Sequence, residues 1–233
     1  ITASTSAASA LSFDGNNDVV IYPNPVTTAS NNVTIETKVY LKGLPGTNAV
    51  LLHNGTAGFS GYGLFIDNTS QVYPAVNGSP PGTGYTLPLN QWTHLALVIE
   101  NGRATVYANG VSIYSAAHPA PPVPSGSFVI GANNSGGQAA NANFDEVRVW
   151  NVARTQCEIQ QYMNCEITST ASGLVANYHF NQGIPSGSNT AVTTLTDAAS
   201  ANTGTLTNFA LTGTVSNWVS PGGVISGSTT PAS

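Results

Sequence analysis

The chain has 233 residues, of which only 6% are charged, and its formal net charge is -5 at pH 7. Its five Lys and Arg residues are too few for the basic surface of a nucleic-acid-binding protein, and no apolar run reaches the roughly 18 residues of a membrane span. A hydrophobic fraction of 41% with 24 Gly and 14 Pro is typical of a packed, turn-rich globule rather than a disordered chain.

Short strands with a period of two are predicted over the first half of the chain. Residues 10–13 and 19–22 flank a tight acidic turn. Residues 33–41 alternate between an apolar and a polar face, a pattern that predicts an antiparallel strand with one buried and one wet face. Further strands are predicted at residues 49–53, 62–67 and 71–76.

A meander of three strands follows, at residues 92–100, 103–108 and 111–116. The dipeptides Asn101-Gly102 and Asn109-Gly110 join these strands, and Asn-Gly tolerates the positive φ angles of a type I′ hairpin turn. Two tight hairpins are therefore expected.

The β-patterned run ends with residues 128–130 and with Phe144–Trp150, which alternates apolar and polar residues. Thr155 is predicted to cap a helix from Gln156 to about Asn164, which we expect to seal one end of the fold. After Ser172, more short strands are predicted at residues 173–180, 193–197 and 204–209 and around Trp218. About a dozen strands with one short helix predict an all-β antiparallel sandwich.

Five motifs in order resemble a laminin-G-like module and, more broadly, the concanavalin A-like jelly rolls. They are Leu11-Ser12-Phe13-Asp14-Gly15, Val33-Thr34-Ile35-Glu36, the run from Asn90 to Leu97, Val106-Tyr107-Ala108-Asn109-Gly110 and the run from Phe144 to Trp150. The helix with its two cysteines and the segment after it resemble modules of large exported proteins of the Bacteroidetes type. The resemblance implies a two-sheet jelly roll, frequent calcium binding, and roles in adhesion or glycan binding.

The sequence predicts four segments: a linker at 1–9, the jelly-roll domain at 10–167, a β segment at 168–222 and a Ser/Thr/Pro-rich linker at 223–233. Strands like those of the β segment usually precede the Phe-Asp-Gly motif in similar modules. Here they follow the domain. We therefore hypothesise that residues 173–219 fold back onto the sandwich and supply its missing edge strands.

Calcium binding requires several hard oxygen ligands that converge on one point. The resemblance favours Asp14 and Asp145 as ligands of a structural Ca²⁺, with Asp18 on the same turn and Asn16 and Asn143 as helpers. The alternative is that these side chains only hydrogen-bond turn amides.

A second calcium site near Asp67 and Asn68, at the rim, is a further possibility that the resemblance raises.

Sugar recognition uses aromatic faces with a few amides and acids. Tyr62, Tyr73 and Tyr85 lie on or beside loops, and they are the candidate ligand-binding residues. Tyrosines on a sheet surface also serve as plain cross-strand partners, so this alternative stays open. Trp92 and Trp150 are expected to pack in the core.

Cys157 and Cys165 form an even pair in a chain of export-like composition, which favours a disulfide over a redox or metal pair. Catalysis has little support. Glycosidases need two carboxylates that flank the sugar bond, and Asp145 and Glu146 are adjacent, so they are expected on opposite faces of a strand. The four histidines are scattered.

These features predict a non-catalytic binding or adhesion module of an exported, extracellular or cell-surface protein, stabilised by calcium. Its partners would be glycans, other cell-surface ligands or neighbouring modules of a larger protein. An alternative is a structural spacer or self-assembly module of a surface fibre, without a small ligand. A third hypothesis, a polysaccharide hydrolase or lyase, is opposed by the missing acid cluster.

Overall fold

A computed structural model describes residues 9–56, 59–76 and 82–225. In chain order the elements are β1 (Ala10–Ser12), β2 (Val19–Tyr22), β3 (Val33–Leu41), β4 (Ala49–Asn54), β5 (Tyr62–Ile66), β6 (Val72–Val76), β7 (Trp92–Glu100), β8 (Arg103–Ala108), β9 (Val111–Ala117), β10 (Phe128–Ile130), β11 (Ala142–Trp150), α1 (Gln156–Tyr162), β12 (Leu174–Tyr178), β13 (Thr194–Leu195), β14 (Gly204–Thr207) and β15 (Trp218–Val219).

The strands form two antiparallel sheets, which confirms the predicted sandwich with one short helix. The first sheet has the order β15-β1-β11-β3-β7-β8-β9, with β12 also paired to β11. The second sheet has the order β13-β14-β2-β10-β4-β5-β6. Alternate side chains such as Ile35 and Val39 of β3 are fully buried in a single apolar core, together with Leu52 and Leu64 of the second sheet.

The outer face of the first sheet is not wet, contrary to the alternation predicted for β3. Thr34, Glu36 and Lys38 are all at most 5% exposed. Residues on either side of α1 form hydrogen bonds with this face. The Thr34 hydroxyl donates to the carbonyl of Val152, and Lys38 Nζ donates to the side-chain oxygen of Asn164. The prediction of a solvated face was wrong because an alternating pattern shows only that a face is polar. Other parts of the chain can still cover a polar face.

Helix α1 lies on this outer face and does not seal the end of the sandwich. The predicted cap is confirmed. The Thr155 hydroxyl accepts a hydrogen bond from the Glu158 N–H, and the Glu158 carboxylate accepts one from the Thr155 N–H. Ile159, the buried residue of the helix, packs on Ala96 and Val98 of β7. The helix ends at Tyr162, two residues before the predicted limit.

The chain after α1 runs along both sheets. Strand β12 pairs with β11 of the first sheet. Strands β13 and β14 extend the second sheet beyond β2. Strand β15 pairs with β1, so that Trp218 lies opposite Leu11. Residues 223–225, which the sequence assigned to a linker, belong to the folded body: Gly223 N–H donates to Asp145, and Ile225 forms a parallel bridge with Cys165. Ser9, the last residue of the other predicted linker, is buried too, and its N–H donates to Asn181. Residues 1–8 and 226–233 lie outside the described residues.

The predicted disulfide is not formed. Cys157 and Cys165 are free thiols, the first exposed and the second buried. Cys157 lies in the first turn of α1, whereas Cys165 follows its C-terminal end, and the helical rise from residue 157 to residue 163 is roughly 9 Å. Cysteine Cα atoms must come within about 7 Å for a bridge, so the helix itself keeps the thiols apart.

Thiol titration tests this assignment. We expect one thiol per chain, that of Cys157, to react in the native protein and both to react after unfolding, because Cys165 is only 1% exposed. Cys157→Ser should abolish the native reaction. A chain that releases no thiol until a reductant is added would contradict the free-thiol state.

Trp218 tests how far the C-terminal segment stabilises the sandwich. Its side chain is fully buried, so Trp218→Ala should lower the free energy of unfolding by about 3–5 kcal/mol. The matched control is Phe59→Ala, which removes an aromatic ring that is 82% exposed and should change stability by less than about 0.5 kcal/mol. Denaturant unfolding of the wild type and the two variants measures these changes. Equal unfolding midpoints would show that the C-terminal segment contributes little to stability.

Candidate functional site

The structure separates the three tyrosines chosen from the sequence. Tyr62 is fully buried in the core, where its hydroxyl contacts Asn54 Nδ2 at 3.3 Å, so it cannot stack on a ligand and this prediction was wrong. Burial raises the pKa of Tyr62 well above its usual range. Tyr85 is half-buried against the core beside β6. Tyr73 is half-buried among the side chains on the outer face of the second sheet, and it alone of the three remains a ligand candidate there.

The predicted calcium residues do not converge on one point. Asp14 accepts from the backbone and side chain of Asn16 at 2.8 and 2.9 Å, as an Asx turn does. Asp18 accepts from the Asp14 N–H and the Ser216 hydroxyl, both at 2.9 Å. Burial raises the pKa of Asp18 to about 6, which weakens it as a cation ligand.

Asp145 lies further along β11. It is opposite Lys38, whereas Asn143 is opposite Ser12 and Tyr40, so the strand register carries Asp145 away from the Asp14 turn. Its carboxylate accepts from the N–H groups of Gly223 and Glu146, and burial raises its pKa. A calcium site shared by Asp14 and Asp145 is not formed by this geometry. Calcium binding by the chain stays a prediction.

At the predicted rim site, Asp67 accepts from the N–H groups of Thr69 and Gln71 through one carboxylate oxygen. This is the turn-forming role rather than a ligand cluster, and calcium at this position also stays a prediction.

A groove on the outer face of the second sheet combines amide and hydroxyl side chains with an apolar base. We call it the amide groove. Its volume is about 230 Å³, and its lining residues are Gly55, Thr56, Val129, Asn133, Asn134, Ser135 and Gln138. Val129 belongs to β10, whereas the amides come from the loop that follows this strand. None of the described lining residues carries a charge.

The loop that supplies these amides folds back over the sheet. The Gln138 carbonyl accepts from the Val50 N–H at 2.9 Å, and Asn134 Nδ2 reaches back to the Ser127 hydroxyl at 3.2 Å. Asn133 fixes the turn by accepting from the N–H groups of Ser135 and Gly137. The side chains of Asn134 and Gln138 stay exposed, so their amides are available to a ligand.

An aromatic row continues from the groove across the same face. His53 meets Phe65 edge-on with ring centroids 5.8 Å apart, and Phe65 meets Tyr73 at 5.9 Å. His53 also ties the row to the groove, because its Nδ1 lies 3.2 Å from the Gly55 carbonyl. Burial lowers the pKa of His53 to about 4, so its ring is neutral at neutral pH.

A second cavity, of about 280 Å³, lies between α1 and the chain that follows it. Its lining includes Trp150, Arg154 and Tyr162. The guanidinium carbon of Arg154 lies 4.1 Å from the Trp150 ring centre and 5.4 Å from that of Tyr162. The cation therefore occupies the aromatic faces that a sugar ring would need.

Beneath this cavity is a buried ion network centred on Glu36. Its carboxylate accepts from Trp150 Nε1 at 2.9 Å and from Arg154 at 3.3 Å, and Arg148 and His94 lie at 3.6 and 3.3 Å. Burial by itself raises the pKa of Glu36, but His94 and the two arginines outweigh it and hold the pKa well below its usual range. Glu36 is therefore an ionised structural group.

The network continues to a cluster that has the composition of a metal site. Ligand atoms of Glu146, Glu166 and His179 all lie within 4.8 Å of one another. Glu146 lies on a β-bulge between Asp145 and Arg148 and has a positive φ of 48°. The bulge directs its carboxylate to Arg148 Nη2, at 2.6 Å, and to His179 Nδ1, at 2.7 Å.

The bulge also corrects the expectation that Asp145 and Glu146 point to opposite faces, since both meet groups on the outer side of the sheet. Neither carboxylate lines one of the cavities described above.

Sequence reasoning did not find the amide groove or the cluster. The run Asn133-Asn134-Ser135 with Gln138 is the available signal for the groove, but it matches no motif that predicts a ligand site. The cluster had no local signal in the sequence. Glu146 and His179 are 33 residues apart along the chain, and the pairing of β12 with β11 brings them together.

His53 predicts a pH dependence of stability. Its folded pKa of about 4 lies below the ordinary 6.5, so the unfolded chain takes up a proton first. This contribution leaves the free energy of unfolding unaffected above pH 6.5 and lowers it, by up to about 3 kcal/mol, as the pH falls from 6.5 to about 4. Urea unfolding should show a shallower decline in His53→Gln than in the wild type.

The matched control is His118→Gln, at a half-buried histidine near the edge strand β9, which should keep the wild-type decline. Parallel curves for His53→Gln and the wild type would contradict the buried, neutral state of His53.

Three solved structures of similar fold were compared with the chain. A candidate carbohydrate binding protein from Bacteroides ovatus has a TM-score of 0.69 at 22% identity, and the match covers 87% of this chain and 58% of that protein. A heptameric SAP-like pentraxin from Limulus polyphemus has a TM-score of 0.54 at 17% identity, over 68% of this chain and 82% of that one. Trypanosoma rangeli sialidase in complex with sialic acid has a TM-score of 0.53 at 20% identity, over 65% of this chain and 27% of that one.

These likenesses concern the fold, and the chain spans 58% of the length of the Bacteroides protein. A comparison with curated proteins found no match. A laminin G family model, described as the concanavalin A-like lectin/glucanases superfamily, matches residues 14–160, which is most of the sandwich. The chain therefore belongs to this laminin G family of the concanavalin A-like superfamily, and the jelly-roll architecture expected from its sequence is confirmed.

Proposed function

We propose that the protein is a carbohydrate-binding module of an exported surface protein and that the amide groove holds a neutral sugar. The observation that carries this proposal is the groove lining: side-chain amides and hydroxyls on loops above the apolar Val129, without a charged residue among those described.

Each part of the groove matches a part of a pyranose ring. A primary amide donates and accepts at the same time, so Asn134 and Gln138 can each bind the hydroxyl groups of a sugar. An apolar base accommodates the C–H face of the ring, as in other small-molecule sites. A charged sugar would leave its charge unpaired in this groove, so neutral glycans are the expected class. The family description and the Bacteroides protein support carbohydrate as the ligand class.

The proposal includes the absence of catalysis. Hydrolysis of a glycosidic bond commonly requires two carboxyl groups on either side of it, and the described residues of the amide groove include none. The likeness to a sialidase concerns 27% of that enzyme and the fold alone.

Surface location belongs to the proposal as well, and its support is the low charge and high Ser, Thr and Asn content. Within the described residues, no helix has the length and hydropathy that crossing a bilayer requires. Calcium stabilisation also remains part of the proposal, and thermal unfolding with Ca²⁺ and with EDTA tests it.

A second candidate function, self-assembly in a surface fibre, is favoured by strand β9. This edge strand pairs only with β8, contains no charged residue and has four exposed residues among its seven. Such an edge can add a strand from another chain. A spacer of this kind would bind no glycan, so the binding experiment below separates the two functions.

Binding to a panel of neutral and acidic polysaccharides is the test. We expect a neutral glycan to bind, and we expect Asn134→Ala and Gln138→Ala each to weaken it by roughly tenfold, which corresponds to the loss of about one hydrogen bond. Tyr73→Ala would report whether the aromatic row extends the site. Isothermal titration with the best glycan measures all three variants.

Gln161→Ala is the matched control, because Gln161 is an exposed amide on α1, on the opposite side of the sandwich. It should bind like the wild type. Binding that survives both groove substitutions would place the sugar elsewhere, and a chain that binds no glycan but associates in solution would favour the assembly function.

A further inference from the structure

We propose that Glu146, Glu166 and His179 form a binding site for one divalent transition-metal ion of the zinc class. The site lies on the outer side of the first sheet, away from the amide groove, and it is independent of glycan binding. It also differs from the calcium residues predicted from the sequence.

The three side chains are brought together by different parts of the fold. Glu146 is on the bulge of β11, Glu166 follows α1, and His179 directly follows β12. Because Val147 lies opposite Tyr178 in the β11–β12 pair, Glu146 and His179 are neighbours across that pair. Strand pairing therefore positions two of the three ligands, and Glu166 reaches them from the segment after α1.

The spacing of the ligand atoms is close to what an ion requires. They lie within 4.8 Å of one another. Ligands bound at about 2.0–2.2 Å span at most about 4.4 Å across the ion. A small rotation of the half-buried Glu166 or His179 side chains closes the difference.

Groups around the cluster already orient two of its members. Arg148 Nη2 and Nε bind Oε2 of Glu146, at 2.6 and 3.2 Å, so Oε1 is the oxygen that faces the other two ligands. Asn181 Nδ2 donates to Oε1 of Glu166. Such outer hydrogen bonds are typical of metal sites, where they fix the ligand carboxylates. Oε1 of Glu146 now lies 2.7 Å from His179 Nδ1, so an ion held by these two ligands would take the place of the proton they share.

Asn177 provides an independent observation. Its side chain is completely buried, and its Nδ2 lies 3.2 Å from His179 Nε2. Its Oδ1 has no hydrogen-bond partner within the described chain. A buried amide oxygen without a partner costs free energy, and an ion beside His179, or a water bound to that ion, supplies a partner for it.

The ligand set selects the class of metal. Ca²⁺ prefers six to eight oxygen ligands, whereas an imidazole nitrogen with two carboxylates suits Zn²⁺ and its neighbours Co²⁺ and Mn²⁺. The three ligands leave at least one coordination position open.

The test is titration of the EDTA-treated full chain with Zn²⁺ by calorimetry and with Co²⁺ by visible absorption. We expect one ion per chain. Glu166→Gln should weaken binding by about tenfold or more, and His179→Gln should reduce it further and change the Co²⁺ spectrum. Glu166 is only half-buried, so Glu166→Gln keeps the fold intact and remains informative if His179→Gln is unstable.

Matched controls are Glu100→Gln, at an exposed residue, and His118→Gln, at a half-buried residue elsewhere, and both should bind Zn²⁺ like the wild type. The double variant Cys157→Ser with Cys165→Ser should also retain binding. Loss of binding in the cysteine variant would assign the ion to the thiols and overturn the proposal. It is equally overturned if the wild type binds no Zn²⁺, if Glu166→Gln and His179→Gln bind as well as the wild type, or if Ca²⁺ competes on equal terms.

Discussion

Strand β11 and its bulge at Glu146 are the constraint on which the rest of the structure depends. On one side β11 pairs with β3 along its length, and on the other it pairs first with β1 and then with β12. The bulge lies between the part of β11 that pairs with β1 and the part that pairs with β12. The register of β11 against β3 therefore shifts at the point where its other partner changes. The extra residue also directs the Glu146 carboxylate to Arg148, and Arg148 in turn lies beside Glu36 of β3. Strand pairing and the buried ion network are thus parts of one arrangement.

The ion network explains why the two outer faces of the sandwich differ. Charged groups on the first sheet are buried only because α1 and the C-terminal residues cover them and complete their hydrogen bonds. Removing one member would leave its partners charged and unpaired in a place that water does not reach, which is costly. This face is therefore occupied by its own chain. The groove that we propose for a sugar lies on the second sheet, where the loop after β10 covers the strands.

The second sheet carries the opposite chemistry. Its outer face has apolar and aromatic side chains and neutral amides, and His53 in its aromatic row is kept neutral by burial. Neutral polar surface above apolar atoms suits ligands that present both hydroxyl and C–H groups. The same lack of charge that made the composition unusual is, on this face, the basis for proposing uncharged ligands. The concanavalin A-like family provides the frame, and the loop after β10 provides the specific surface.

The sequence by itself determined the fold class, most strands, the two Asn-Gly hairpins and the Thr155 cap, because these depend on period, turn chemistry and hydrogen bonds between near neighbours. It did not determine which polar faces are covered: the alternation of β3 shows Glu36 and Lys38 as polar but cannot show that α1 lies over them. It made Tyr62 a candidate for ligand binding beside a loop, whereas the pairing of β4 with β5 buries it. Only the tertiary structure brought Glu146, Glu166 and His179 together and folded the Asn133–Gln138 loop over Val129, because both depend on the register between distant strands. A shift of one residue in that register moves every side chain of the strand to the opposite face of the sheet. A single sequence does not specify the register between distant strands.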